Sequence, residues 1–190
     1  MLKVFIIFLI IINTFSLYAQ TVGKETSLKI PRYVSLKSND SNLRVGSSKN
    51  YPIKLRYIIA NIPVEIIDEY KEWRKINDHQ GNKGWLHKSL LKGERFALVN
   101  APYHENIQIY NKPKGNVIGK IGKKNIVKVN KCLKYWCHIK YNQYKGWINK
   151  VNLWGVYEEE IIKIPFYQPI INQIWKININ IAYKKNSTNN

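Results

Sequence analysis

Acidic residues are scarce in this chain of 190 residues, since 12 Asp and Glu stand against 31 Lys and Arg and leave a formal net charge of +19. Such a surplus suits an anionic partner, for example a nucleic acid, phospholipid headgroups or an acidic cell-wall polymer. Lys, Asn, Ile and Tyr are frequent along the whole chain, so composition alone explains the charge equally well. The charge therefore leaves the function open.

Patterns typical of enzymes and metal sites are missing as well. The four histidines are not spaced as zinc ligands, and no carboxylate pair or phosphate-binding loop stands out. The stretch from Ser89 to Lys92 fits S-x-x-K, but the companion motifs S-D-N and K-T-G are absent. Cys137 and His138 are neighbours on a predicted strand, so their side chains point to opposite faces. We predict no catalytic residue, no metal and no cofactor.

Long apolar runs are absent, since no segment reaches the roughly 20 apolar residues that span a bilayer. The N-terminus has the layout of a signal peptide, in which Lys3 precedes an apolar run from Val4 to Ile12 and the small residue Ala19 precedes Gln20. We predict a signal peptide at residues 1–19, a periplasmic or secreted protein, and no transmembrane span after cleavage. An uncleaved anchor is the alternative, for which the apolar run is too short.

Only two cysteines are present, Cys132 and Cys137, which excludes a framework of several disulfides. Apolar and polar residues alternate before and after them, and this pattern predicts a β-hairpin with a loop from Leu133 to Trp136. The two cysteines then lie opposite each other, within the Cα separation that a disulfide requires. Because an exported protein meets an oxidising environment, we predict a disulfide between them.

An internal repeat is the most informative feature of the chain. The segment from Pro63 to Ile76 aligns without a gap with the segment from Ile126 to Ile139. Further on, the tripeptide Lys-Gly-Trp at 83–85 falls on the same tripeptide at 145–147. Two copies of one structural unit are therefore expected.

The repeat also supports the predicted hairpin. It places Cys132 on Glu69 and Cys137 on Arg74, so copy one carries opposite charges where copy two carries the two cysteines. Residues that face each other across a hairpin are often paired in this way. We therefore expect both pairs to lie opposite each other.

Short runs of alternating or β-branched residues, separated by Asn, Gly, Ser and Pro, fill both copies and predict an all-β fold of two small β-barrels. In copy one the predicted strands are Tyr33 to Leu36, Asn42 to Arg44, Leu55 to Ile59, Val64 to Tyr70, Arg74 to Asp78 and Gly84 to His87. In copy two they are Phe96 to Val99, Ile107 to Tyr110, Val117 to Ile121, Ile126 to Cys132, Cys137 to Tyr141 and Gly146 to Asn149. We predict domains at 32–95 and 96–157 and a C-terminal tail at 158–190.

The stretch from Asn42 to Ser48, followed by Tyr51, resembles the opening N-[LV]-R-x-G-P-S motif of the bacterial SH3-like (SH3b) domain. The hairpins that end in Trp73 and Trp136, and the Gly-Trp pairs after them, follow in the same order. The whole order is similar to the tandem SH3-like envelope proteins of alphaproteobacteria. This sequence departs from the motif at Ser47, where proline is usual, and copy two lacks the arginine-glycine motif.

The resemblance implies a non-catalytic binding protein of the cell envelope, with peptidoglycan or its peptide stems as the ligand. A cell-wall glycan or peptide, or an envelope protein, is then the expected partner, and nucleic acid is not. Aromatic rings suit glycan and basic groups suit carboxylates. The candidate ligand-binding residues are Arg44, Tyr51, Trp73, Trp85, Trp136 and Trp147.

Each candidate also has a structural interpretation. A tryptophan at a strand end of a small barrel is often a core residue, which we favour for Trp73 and Trp136, while both interpretations stay open for Trp85 and Trp147. Arg44 fits a residue that positions its own loop. Since only copy one keeps the Asn42 to Ser48 loop, we expect the two copies to differ in function. A different class of function is a structural or protein-interaction adaptor that uses the barrels and the apolar tail.

Two further features carry expectations. Gly84 and Gly146 each precede a Trp, and we expect the neighbouring hairpin Trp to lie across their bare backbone. In the tail, Pro165 and Pro169 argue against one long helix, and alternation from Ile177 to Ile181 predicts a strand. This segment is either a docking element for a partner or a membrane face, or an extra strand packed on copy two.

Overall fold

The structure, a computed structural model, describes residues 21–100 and 106–163. The predicted signal peptide at 1–19 and the tail strand predicted from Ile177 to Ile181 lie outside the described residues. Within the described ranges, no helix is long and apolar enough to cross a membrane.

In residues 21–100 and 106–163, fourteen β-strands form two antiparallel sheets of seven strands each. The first sheet contains β1 (Arg32–Leu36), β2 (Ser41–Arg44), β3 (Ile53–Tyr57), β4 (Pro63–Tyr70), β5 (Trp73–Asn77), β6 (Lys83–His87) and β7 (Leu91–Lys92). The second contains β8 (Phe96–Val99), β9 (Asn106–Tyr110), β10 (Val117–Gly122), β11 (Ile126–Cys132), β12 (Trp136–Tyr141), β13 (Tyr144–Asn149) and β14 (Leu153–Trp154). Short 3-10 turns, Lys88–Leu90 and Lys150–Asn152, precede the last strand of each sheet.

The two sheets have the same strand order, β3-β2-β6-β5-β4-β1-β7 in the first and β10-β9-β13-β12-β11-β8-β14 in the second. This identity confirms the predicted all-β fold of two tandem domains. Strand β3 begins and ends two residues earlier than predicted. Strands β7 and β14 were not predicted, because a two-residue strand is too short to show alternation.

Each domain has its own hydrophobic core, built from the inward side chains of its strands. The repeat places Val64 on Val127 and Ile76 on Ile139, and all four side chains are buried. Burying side chains of this size contributes about 1.5 to 3 kcal/mol each. The repeated positions therefore mark equivalent core sites.

The hairpins β4–β5 and β11–β12 pair as the repeat predicts. Glu69 lies opposite Arg74, and Cys132 lies opposite Cys137. The cysteines form a disulfide with a Cα separation of 4.1 Å, so the predicted bond is confirmed. All four residues are buried, which means that both pairs face inward.

The carboxylate of Glu69 connects three parts of the first domain. It accepts hydrogen bonds from the Thr26 hydroxyl at 2.8 Å, from the backbone N–H groups of Glu25 and Thr26 at 3.0 and 2.9 Å, and from Arg32 at 2.8 Å. Arg74 Nε lies 3.5 Å away. In the second domain, backbone hydrogen bonds between Cys132 and Ile162, at 2.9 and 3.1 Å, cover the corresponding strand end.

The two domains contact each other through aromatic side chains. The Tyr33 ring lies 5.1 Å from the Trp154 ring and 4.6 Å from the Tyr157 ring, measured between centroids. The Tyr157 hydroxyl donates to Glu65 at 2.8 Å, and burial together with this hydrogen bond raises the pKa of Tyr157. The phenol therefore stays protonated and continues to donate across the contact at neutral pH.

The expected neighbours of Gly84 and Gly146 are wrong. A Cβ on Gly84 would lie 2.7 Å from the Arg44 carbonyl oxygen and 2.7 Å from Leu43 Cγ, and a Cβ on Gly146 would collide with Ile109. The hairpin tryptophans are not involved, because the glycines face inward while those rings lie on the opposite face of the sheet. Gly84 instead allows strand β2 to approach closely, and Gly146 allows the same for strand β9.

Replacement of Gly84 by alanine should destabilise the first domain by about 1 to 3 kcal/mol, because the added Cβ overpacks the contact with Leu43. Urea unfolding followed by tryptophan fluorescence measures this change. Gly93→Ala is the matched control, since nothing lies within 4 Å of a Cβ at that position. Equal stability of the two variants would contradict the close approach of β2.

Glu69→Gln should destabilise the first domain by about 3 to 5 kcal/mol at pH 7, because it removes a buried charge that several donors face. Burial opposes ionisation of Glu69, but the hydrogen bonds from Thr26, Arg32 and Glu25 outweigh it and lower the pKa. Because the pKa of Glu69 is lower in the folded state, its ionised carboxylate stabilises the fold fully above the ordinary glutamate pKa of about 4.3. This contribution to the free energy of unfolding is lost as the pH falls through the lowered pKa.

Urea titrations of both proteins across that pH range measure the difference in the free energy of unfolding, which should shrink in acid. The control is Glu72→Gln, because Glu72 forms an exposed pair with Lys88 that solvent screens, so its loss should leave the stability nearly unchanged. A constant difference between wild type and Glu69→Gln at every pH would contradict an ionised Glu69.

Candidate functional site

Each domain places two tryptophans on the outer face of one hairpin. Arg74 and Cys137 face inward, so Trp73 and Trp136, their chain neighbours, face outward. The interpretation of Trp73 and Trp136 as core residues is therefore wrong, because both rings are half-buried on the surface of the sheet. Their outward direction follows from the alternation of side chains along a strand.

Strand pairing brings further side chains beside these rings. Arg44 pairs with Trp85, which pairs with Lys75, and Tyr110 pairs with Trp147, which pairs with His138. Directly opposed residues share one face of a sheet. We name the resulting surfaces aromatic face one (Arg44, Trp73, Lys75, Trp85, His87) and aromatic face two (Tyr110, Trp136, His138, Trp147, Asn149).

Aromatic face one combines rings with positive charge. The rings of Trp73 and His87 meet edge to face, with 5.4 Å between their centroids. The Lys75 ammonium group lies 6.0 Å from the centroid of Trp85, within the range of a cation–π interaction. Aromatic face one therefore places an aromatic surface and a positive charge side by side.

The loop after β2 is attached to aromatic face one through Arg44. Its guanidinium Nη1 donates to the Tyr51 carbonyl oxygen at 2.7 Å, so Arg44 holds its own loop as the positioning interpretation requires. The Tyr51 ring covers Gly46, where a Cβ would lie 2.5 Å from the ring. Tyr51 remains 49% exposed, which leaves its ring accessible beside the face.

Aromatic face two contains two pairs of rings. His138 and Trp147 lie 5.3 Å apart, and Tyr110 and Trp136 lie 5.1 Å apart with an angle of 85° between their planes. The Lys131 ammonium group lies 5.1 Å from the Trp147 centroid. Burial, followed by the positive charges of Lys131 and Lys145, lowers the pKa of His138, so its imidazole is neutral at pH 7.

A cavity of about 400 Å³ lies at the end of aromatic face two, within the size range of small-molecule sites. Its lining residues are Asn106, Ile107, Gln108, Tyr110, Trp136, Asn149 and Asn152. None of these carries a formal charge. The cavity therefore differs in character from aromatic face one, where Arg44 and Lys75 are cationic.

The six predicted candidates fall into two groups, one in each domain. Arg44, Tyr51, Trp73 and Trp85 lie on or beside aromatic face one, whereas Trp136 and Trp147 lie on aromatic face two. The sequence analysis missed the other members of these faces, namely Lys75, His87, Tyr110, His138 and Asn149. A period of two from the tryptophans identifies four of them, because Lys75 follows Trp73, His87 follows Trp85, His138 follows Trp136 and Asn149 follows Trp147 by two residues.

Comparison with protein families matches the bacterial SH3 domain to residues 37–93 and 105–155. The two matched segments cover more than half of the chain and correspond to the two sheets. Comparison with curated proteins gives no match.

Solved structures similar to the chain include NlpC2 from Trichomonas vaginalis, with 14% identity over 68% of this chain and 50% of that one at a TM-score of 0.31. NlpC1 from Trichomonas vaginalis has 15% identity over 70% and 48% of the two chains, with a TM-score of 0.28. An NlpC/P60 family protein from Bacillus cereus ATCC 10987 has 13% identity over 74% and 61%, with a TM-score of 0.30. The chain thus spans between 48% and 61% of the length of these structures.

Proposed function

This chain belongs to the bacterial SH3 domain family, whose members are binding domains, and from that premise we propose that it is an exported protein that binds peptidoglycan without catalysis. Aromatic faces one and two form the binding surface. Export rests on the signal-peptide layout of residues 1–19.

The observation that carries the proposal is the repeated outward placement of two tryptophans. Trp73 and Trp85 in the first domain and Trp136 and Trp147 in the second occupy corresponding positions in the two sheets. None of the four belongs to the hydrophobic cores. Large half-exposed rings that the core does not need are typical of binding surfaces.

The chemistry of the faces suits a cell-wall polymer. Aromatic rings stack on the apolar faces of sugars, and the lysines beside them attract the carboxylates of peptide stems. The formal charge of +19 adds attraction to any anionic envelope polymer. Since the second domain lacks the arginine loop but keeps both tryptophans, we propose that both domains bind and that they differ in what they contact.

A protein-interaction adaptor is the second candidate, and the exposed edge of the first sheet favours it. Strand β3 ends this sheet, and the exposed apolar side chains at and after it include Ile53, Ile58 and Ile59. An exposed strand edge with apolar side chains can pair with a strand of another protein. In this case the aromatic faces are not needed for the interaction.

Pull-down of the chain on purified peptidoglycan at two salt concentrations tests the proposal. Binding that survives high salt supports a shaped site, whereas complete loss with salt indicates attraction by charge alone. Absence of binding at both salt concentrations would overturn the proposal in favour of the adaptor.

The double variant Trp85→Ala and Trp147→Ala assigns the binding to the aromatic faces. We expect about a tenfold weaker interaction, which corresponds to roughly 1.4 kcal/mol. Tyr144→Ala is the matched control, because Tyr144 is 68% exposed and lies on the face of strand β13 opposite to Trp147, outside both aromatic faces. If the control weakened binding as much as the double variant, the faces would not be the binding surface.

A further inference from the structure

Among the residues that the structure describes, those lining the cavity at the end of aromatic face two are all neutral, in a strongly basic chain. Its polar side chains are the amides of Asn106, Gln108, Asn149 and Asn152 and the hydroxyl of Tyr110. An amide offers both a hydrogen-bond donor and an acceptor but no charge. Such a lining suits a neutral ligand with hydroxyl and amide groups and gives no counter-charge to a carboxylate or phosphate.

The aromatic pair gives the cavity a second property. Tyr110 and Trp136 meet nearly at right angles, at 85° and 5.1 Å, so the two rings form a corner. One ring presents a flat apolar surface next to the polar amides. A pyranose has the matching character, because its C–H groups form an apolar face and its hydroxyl groups point outward from the ring edge.

Existing hydrogen bonds hold two of the amides in a fixed direction. Asn149 Oδ1 accepts from the Val151 N–H at 3.1 Å, and Gln108 Oε1 accepts from the Tyr110 hydroxyl at 2.6 Å. Each bond fixes the oxygen of the amide to the protein and leaves its NH₂ group as the donor available to a ligand. These NH₂ groups are donors suited to the acetyl oxygen or hydroxyl oxygens of a sugar.

The first domain does not reproduce this chemistry. Arg44 occupies the place of Tyr110, since each pairs with the tryptophan of its Gly-Trp motif. His87 occupies the place of Asn149, opposite the hairpin tryptophan. The neutral amide lining therefore belongs to the second domain.

We propose that this cavity binds an N-acetylated sugar of the peptidoglycan glycan strand, an inference that rests on the proposed function and specifies its ligand. The second domain thereby contacts the glycan, while the cationic face of the first domain suits the carboxylates of the peptide stems. The two domains therefore contact different parts of the same polymer.

Calorimetric titration of the full chain with the β-1,4-linked tetramer of N-acetylglucosamine tests the inference. This probe contains the sugar and lacks the peptide. We expect saturable binding that Trp136→Ala weakens at least tenfold. Tyr144→Ala is the control, because Tyr144 is 68% exposed and lies on the face of strand β13 opposite to Trp147. It removes an exposed ring outside both aromatic faces and should leave binding of the tetramer unchanged.

Two nearly isosteric variants test the amides without loss of the fold. Asn149→Asp keeps the oxygen that accepts from Val151, and Gln108→Glu keeps the oxygen that accepts from Tyr110, while each replaces the NH₂ donor by a carboxylate oxygen. We expect each to weaken binding of the tetramer about tenfold. Asn142→Asp, in the exposed turn between β12 and β13, introduces the same charge and serves as the control.

The failure of this inference can be separated from the failure of the proposed function. If the chain binds intact peptidoglycan but not the tetramer, or if Asn149→Asp and Asn142→Asp bind the tetramer equally, the glycan assignment is overturned and the proposed function stands. If the chain binds the tetramer through Trp136 but not intact peptidoglycan, the sugar site stands and peptidoglycan is not the target.

Discussion

The inward pair of side chains beside each hairpin loop is the constraint on which the outward aromatic faces depend. Arg74 is held against Glu69 in the first domain, and Cys137 is bonded to Cys132 in the second. Side chains alternate along a strand, so an inward residue at this position directs its preceding neighbour outward. That neighbour is a tryptophan in both domains. The same pair that closes the hairpin therefore sets the direction of the ring offered to a ligand.

The two domains meet this constraint with different chemistry. In the first, the carboxylate of Glu69 is ionised and buried, and it depends on donors from the preceding segment, Thr26 among them. In the second, a covalent bond replaces the charge, and the segment at Ile162 covers the strand end through backbone hydrogen bonds alone. A disulfide is favoured in an oxidising compartment. The integrity of the second hairpin therefore depends on oxidising conditions, while that of the first depends on ionisation.

The fold was predictable from the sequence because its signals are local. Alternation identified twelve strands, and the repeat gave the register of both hairpins, including the pairing of Cys132 with Cys137. The sites were less predictable, because they depend on strands that are distant in the chain. The pairing of β9 with β13 brings Tyr110 to Trp147, and nothing in either segment indicates this contact. The neighbours of Gly84 were wrong for the same reason, since β2 approaches it from a distant part of the chain.

The indole N–H resonances measure most directly whether the outward tryptophans bind the envelope polymer. Two-dimensional NMR spectra of the chain, recorded with and without soluble peptidoglycan fragments, follow each indole separately. Signals of Trp73, Trp85, Trp136 and Trp147 should shift on addition of the fragments, whereas Trp154, which packs between the domains against Tyr33, should not. Binding of the fragments with a shift of Trp154 alone, or with no shift of the four outward indoles, would contradict the assignment of the aromatic faces as the binding surface.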